Sequence, residues 1–200
     1  METKYKHTSE LLKEKTNPII EIFFDFAQLK NLYHQGWLDF GVSKEHAETV
    51  ADHSFGLAMI AYTIAIEYRP DLDPLKVLQL AVFHDLGEIF VGDLTPRDNV
   101  SREEKRKRET EAVQKVFSKL PNGQKYIRAW LDYEDRELPE AKFVEQVDKL
   151  ELALQASVYE RIGYNNLQEF FTYYNNRIID PKLQEILKEI ISIRTHENRN

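Results

Sequence analysis

Three times along this chain a short polar side chain stands directly before a proline, at Asn17-Pro18, Asp73-Pro74 and Asp180-Pro181. That order suits the start of a helix. The side-chain oxygen accepts from a free amide of the first turn, and proline tolerates the first helical position because its missing N–H would have had no partner there. A fourth start is marked by Ser101-Arg102-Glu103-Glu104, where Ser101 and Glu104 would each satisfy a backbone N–H of the other. Between these marks apolar residues recur at helical spacing, with no convincing alternation of period two. The pattern predicts helices near 8–16, 18–34, 45–69, 74–88, 101–119, 123–136, 139–161, 165–177 and 181–195. An all-α chain is expected.

The 200 residues, 42% of them hydrophobic, suffice for a single domain over 1–200, and no repeat or flexible linker offers a start for a second. The longest connection runs from Ile89 to Val100 and holds Gly92, Pro96 and two aspartates. Cysteine is absent, so disulfides, thiolate zinc sites and cysteine nucleophiles are excluded, and any metal must sit on His, Asp or Glu. The opening METKYKHTSELLKEKT lacks the apolar core of a secretion signal, and no apolar run approaches the roughly 20 residues of a membrane span. A soluble cytoplasmic protein with no membrane partner follows. A net charge of −7 argues against a nucleic-acid partner, which would call for a basic face. The run Arg102 to Arg108 (REEKRKR) mixes both signs at helical spacing and reads as a solvated helix face.

Six histidines are present, and His53 falls on the stripe Val50, His53, Leu57, Ile60, Ile64, so it points inward. Alone it reads as a hydrogen-bonded core histidine sooner than as a ligand, and the next helix changes that weighting. The next helix, LKVLQLAVFHDLGEIF, is an apolar run that ends on His84, Asp85 and Glu88. Unpaired buried charge of that kind costs several kcal/mol, of order 3–5, and calls for compensation. Helical spacing would put the three on one flank, where a cation would account for all of them. Asp148, in AKFVEQVDKLELALQA, sits at the edge of the stripe Phe143, Val147, Leu150, Leu154. By itself it reads as a surface residue paired with Lys149 or Lys142, and it becomes a candidate ligand only as part of the set.

Taken together, His53, then His84-Asp85, then Asp148, resemble the signature of HD-domain phosphohydrolases. The stretches VADHS, HDLGEIFVGDLTPRDNVSREEKRKRE and EAKFVEQVDKLE are similar to the HD-domain 5′-deoxynucleotidase group over residues 18 to 165. The resemblance implies a single HD-domain helical bundle. It also implies one divalent metal (Mn, Co, Fe, Ni or Zn) held by His53, His84, Asp85 and Asp148, and hydrolysis of deoxynucleoside 5′-monophosphates. Other nucleotide phosphoesters, cyclic or triphosphate, and a non-catalytic nucleotide-binding role are the alternatives. Glu88 matches the catalytic base of the group and Asp93 the aspartate that meets the sugar 3′-hydroxyl. For Asp93 the bland alternative is a turn residue after Gly92. Glu88 and Asp93 are also the places for a second hard cation such as Mg. Trp37, in HQGWLDFG, resembles the substrate-side tryptophan, and alone would pass for core. Here the sequence departs from the pattern, because His34-Gln35 stands where relatives carry an arginine, leaving Lys30, Lys44, His34 or His46 to take its place. Related enzymes are commonly homodimers, so a homodimer acting on a small-molecule nucleotide is expected.

Overall fold

The computed structural model describes residues 2–175 and 177–197. Among them are ten α-helices: α1 (Pro18–Asn31), α2 (Gln35–Asp39), α3 (Val50–Tyr68), α4 (Pro74–Phe83), α5 (Glu88–Val91), α6 (Arg102–Phe117), α7 (Gly123–Asp135), α8 (Pro139–Arg161), α9 (Gln168–Asn175) and α10 (Pro181–Glu197). The fold is all-α, and among the described residues extended pairing amounts to two isolated bridges, Thr3 with Leu32 and Tyr33 with Thr49. No described helix is long and apolar enough to cross a membrane.

The predicted helix starts form by the expected chemistry. Asn17 Oδ1 accepts from the Ile19 amide at 2.9 Å, Asp73 Oδ1 from Leu75 at 2.9 Å, and Asp180 Oδ1 from Lys182 at 2.9 Å. Ser101 Oγ accepts from the Glu104 amide at 3.1 Å, but the Glu104 carboxylate is taken by Arg108 Nε at 2.8 Å. A reciprocal capping box forms at Thr95 and Asp98, opening a 3-10 turn over Pro96–Asp98.

Several boundaries differ from expectation. The segment expected as helix 8–16 is a 3-10 turn, Thr8–Leu11, whose Thr8 amide donates to Gln28 Oε1 of α1. Helix α1 stops at Asn31, three residues short, where the buried Asn31 side chain takes the Tyr5 amide and carbonyl, both at 2.8 Å. The helix expected from 45 starts at Val50, because Tyr33 pairs with Thr49 and because Thr49 and Asp52 cap one another. Helix α9 begins at Gln168, and Asn176, inside the expected 165–177, lies outside the described residues.

Two compact units are formed, one from Met1–Phe55 and Val82–Asp135, the other from Gly56–Ala81 and Arg136–Asn200. In the first, α1, α5, α6 and α7 surround a core of Ile22, Leu29, Val50, Leu86, Ile89, Val113, Phe117, Ile127 and Trp130. In the second, α8, α9 and α10 pack together over buried Val144, Val147, Leu150, Phe171, Leu183 and Leu187.

Candidate metal centre

The His84-Asp85 pair is not on a helix. Helix α4 ends at Phe83, and 84–87 form a succession of tight turns in which the Leu86 amide bonds Phe83 O at 3.2 Å and the Glu88 amide bonds Asp85 O at 3.0 Å. The helix predicted through residue 88 fails here for an identifiable reason. The indole N–H of buried Trp130 donates to His84 O at 3.2 Å, satisfying that carbonyl from α7. Glu88 then opens α5. The shared flank expected from helical spacing is therefore replaced by a turn, which still gathers the same side chains.

His53, buried in α3 as its stripe predicted, meets this turn. His84 Nε2 lies 3.3 Å from His53 Nε2 and 2.8 Å from Asp85 Oδ2, and His53 Nε2 lies 3.9 Å from the same oxygen. Two donors each about 2.1 Å from one cation stand roughly 3.0–3.4 Å apart at right or tetrahedral angles. The two imidazole nitrogens fall in that span, the Asp85 oxygen lies just short of it on the His84 side and beyond it on the His53 side, and two nitrogens with a carboxylate oxygen are a donor set that suits a borderline divalent ion. Burial would raise the Asp85 pKa, but the facing His84 and His53 outweigh it and hold the carboxyl well below the usual carboxylate range. The His84 ring is braced edge-on by Tyr133, centroids 5.6 Å apart. Asp148 lies on α8 in the second unit, half-buried, where Lys149 pairs with Glu145 at 3.2 Å.

Glu88 is 4% exposed, and its Oε2 has no hydrogen-bond partner. Burial, reinforced by Asp85 and Asp93, pushes its pKa well above the usual carboxylate value. Asp93 follows Gly92, whose φ of 85° belongs to the left-handed region that favours glycine. Its Oδ2 accepts from the Gln35 amide at 2.6 Å, so Asp93 caps α2 across 58 positions of sequence.

Trp37 is fully buried, and its indole N–H donates to Glu48 Oε1 at 2.6 Å. It is tied to the site through Glu48 and presents no exposed face. The same Glu48 oxygen lies 3.0 Å from His34 Nδ1, and the His34 ring stands 4.6 Å from that of His53. His34, Glu48 and His53 each offer a ligand atom within 4.8 Å of the others, a second grouping able to hold a metal ion. Of the residues considered in place of the missing arginine, His34 is the one brought against this site. Lys44 makes an exposed ion pair with Glu2, Lys30 lies 5.7 Å over the Phe23 ring, and His46 is exposed. Glu48 was invisible in the sequence, having no periodic or motif signal. Lys105 was also missed: within the run read as a solvated face, its ammonium is 3.6 Å from Glu88 Oε1.

A family model described as HD domain matches residues 26–190. The chain is 35% identical over 167 residues to 5′-deoxynucleotidase HDDC2 of Bos taurus, covering 82% of this chain and 79% of that one. It is 31% identical over 188 residues to 5′-deoxynucleotidase hdd1 of Schizosaccharomyces pombe, covering 90% and 92%. The crystal structure of PH0347 protein from Pyrococcus horikoshii OT3 is similar with a TM-score of 0.70 at 33% identity, over 86% of this chain and 96% of that one. A histidine-aspartate turn facing a helical histidine, inside an all-α chain that matches over most of its length, has one conclusion: the chain belongs to the HD-domain family.

Proposed function

We propose that this protein is a metal-dependent 5′-deoxynucleotidase, which hydrolyses deoxynucleoside 5′-monophosphates to deoxynucleoside and phosphate. The observation that carries the reading is the convergence of His53, His84 and Asp85 beside the buried, half-unpartnered Glu88, in a chain whose relatives bear that name. His53, His84, Asp85 and, by the family pattern, Asp148 would hold the cation, and their two nitrogens and two carboxylates suit Mn, Co, Fe, Ni or Zn. When bound, such a cation supplies Lewis acidity toward the phosphoryl group and a lowered pKa for water.

The rest falls to the side chains. Glu88, with its carboxyl held well above the ordinary range, takes the proton of the attacking water, which calls for a base whose pKa lies near the working pH. Asp93, fixed by the Gln35 amide, presents its remaining acceptor capacity to the sugar 3′-hydroxyl. Glu88 and Asp93 are also the oxygens available to a second hard cation such as Mg. Trp37 serves the substrate side by holding Glu48 and, through it, His34. We further read residues 1–200 as one HD domain, since the family match runs through segments of both units. The reading carries a homodimer, by the family pattern, and a cytoplasmic setting, in keeping with a cysteine-free chain.

Phosphate release from several deoxynucleoside monophosphates, with Mn or Co added and the corresponding ribonucleotides as controls, tests the proposal. Release from the deoxy substrates is expected. No release with any metal, from protein shown to hold one, overturns it, as does turnover confined to cyclic nucleotides or triphosphates.

A further inference from the structure

Two charged residues of the first unit have no part in this scheme. Lys105 and Glu109 lie one turn apart on α6, with Lys105 Nζ 3.6 Å from Glu88 Oε1 and 3.5 Å from Glu109 Oε1. Glu109 is buried, at 7% exposure. The approach of α6 to the turn is built into the backbone. A Cβ on Gly87, the residue before Glu88, would stand 2.5 Å from Glu109 Cβ and 3.1 Å from its Cα, so glycine is what admits the helix here.

The charge pattern gives this contact a purpose. Glu88 faces Asp85, Asp93 and Glu109, all of like sign, with Lys105 as the opposing charge. At 3.6 Å the ammonium acts on the carboxylate as a point charge, not as a fork. Its stem is held because Glu109, buried on the same helix, shares the same cation.

We propose that Lys105, seated by Glu109, is the positioning residue for Glu88: it draws Oε1 toward α6 and leaves Oε2, buried and without a hydrogen-bond partner, to take the proton. The function of this contact rests on the deoxynucleotidase reading above, whereas its geometry does not.

The test compares Lys105→Met, Lys105→Arg, Glu88→Gln and the Lys105→Met/Glu88→Gln pair, all in the full chain. In Mn-loaded enzyme, Lys105→Met is expected to lower kcat roughly tenfold or more with KM within about twofold and Mn content unchanged, and Lys105→Arg to recover most of the loss. A second readout needs no turnover. In metal-free protein the thermal midpoints of the single and double variants should be non-additive, with Lys105→Met shifting the midpoint less once Glu88 is glutamine. Additive midpoints, or full kcat in metal-loaded Lys105→Met, overturn the proposal. A raised KM at unchanged kcat also overturns it, making Lys105 a substrate contact. If wild-type protein releases no phosphate, the deoxynucleotidase reading fails alone, and the thermal cycle still decides whether Lys105 and Glu88 are coupled.

Discussion

Replacing Gly87 with alanine sets two effects of opposite sign against each other. Gly87 sits in the turn before α5 with helical angles, φ −60° and ψ −27°, so alanine meets no conformational strain, and the reduced freedom of the unfolded chain favours it by ~0.4–1 kcal/mol. Against this, the new methyl would lie 2.5 Å from Glu109 Cβ, 2.7 Å from Cγ and 3.1 Å from Cα. Carbons rest roughly 3.5–4.0 Å apart, so the turn and α6 must separate by on the order of 1 Å. Rotating the Glu109 side chain moves neither Cβ nor Cα, so the backbone must yield. Overpacking costs about 1–3 kcal/mol, and the forced backbone shift puts this site at about 2–3, leaving a net loss of about 1–2.5 kcal/mol after the entropic gain. For a chain of this size each kcal/mol lowers Tm by about 2–4 °C. Calorimetry of metal-free Gly87→Ala should therefore show a midpoint depressed by about 2–10 °C, and steady-state assays a lower kcat, because Lys105 is carried away from Glu88. A midpoint that rises, together with retained turnover, would refute the close-approach argument.

Two further outcomes are expected. Burial raises the Glu109 pKa to about 7 from an ordinary 4.5, so the folded protein holds that proton more tightly than the unfolded chain does. Its contribution to stability is complete below pH 4.5 and lost as pH rises toward 7, by about 3 kcal/mol at most. Urea titrations of Glu109→Gln should show the loss between those pH values flattened relative to wild type, and an unchanged slope would count against it. In the second unit, Asp180 caps α10 through Oδ1 and accepts from Arg69 through Oδ2 at 2.6 Å. Asp180→Ala should cost about 2–3 kcal/mol by chemical denaturation, and Asp180→Asn, which keeps a capping oxygen, distinctly less. Equal losses would contradict the division of labour between the two oxygens.

Much of this architecture was legible because its signals are local. The Asx-proline pairs fix helix starts through contacts two or three residues away, and α8 runs over Pro139–Arg161 as its stripe and proline imply. His53 is buried where the period of α3 puts it. What escaped the sequence is set by partners far along the chain. The end of α4 depends on an indole 46 residues away, and α2 is capped by a carboxylate 58 residues away. Lys105 shows the same limit for function. Its neighbours Arg102 and Lys107 are exposed, as the mixed-charge run implied, and composition cannot single out the position that α6 turns toward Glu88. His34 and Glu48 meet only because the Tyr33–Thr49 bridge brings two loops together.

The chain has two tryptophans, both fully buried, and each spends its indole N–H on the candidate site, Trp37 on Glu48 and Trp130 on the His84 carbonyl. Both belong to the first unit. Selectively excited indole emission is therefore a built-in optical probe of the histidine-aspartate turn and its surroundings, silent toward α8 to α10. Far-ultraviolet dichroism, by contrast, sums over every helix. Melting curves recorded by the two signals would coincide if the units unfold in one cooperative step and would part if the first unit loosens first.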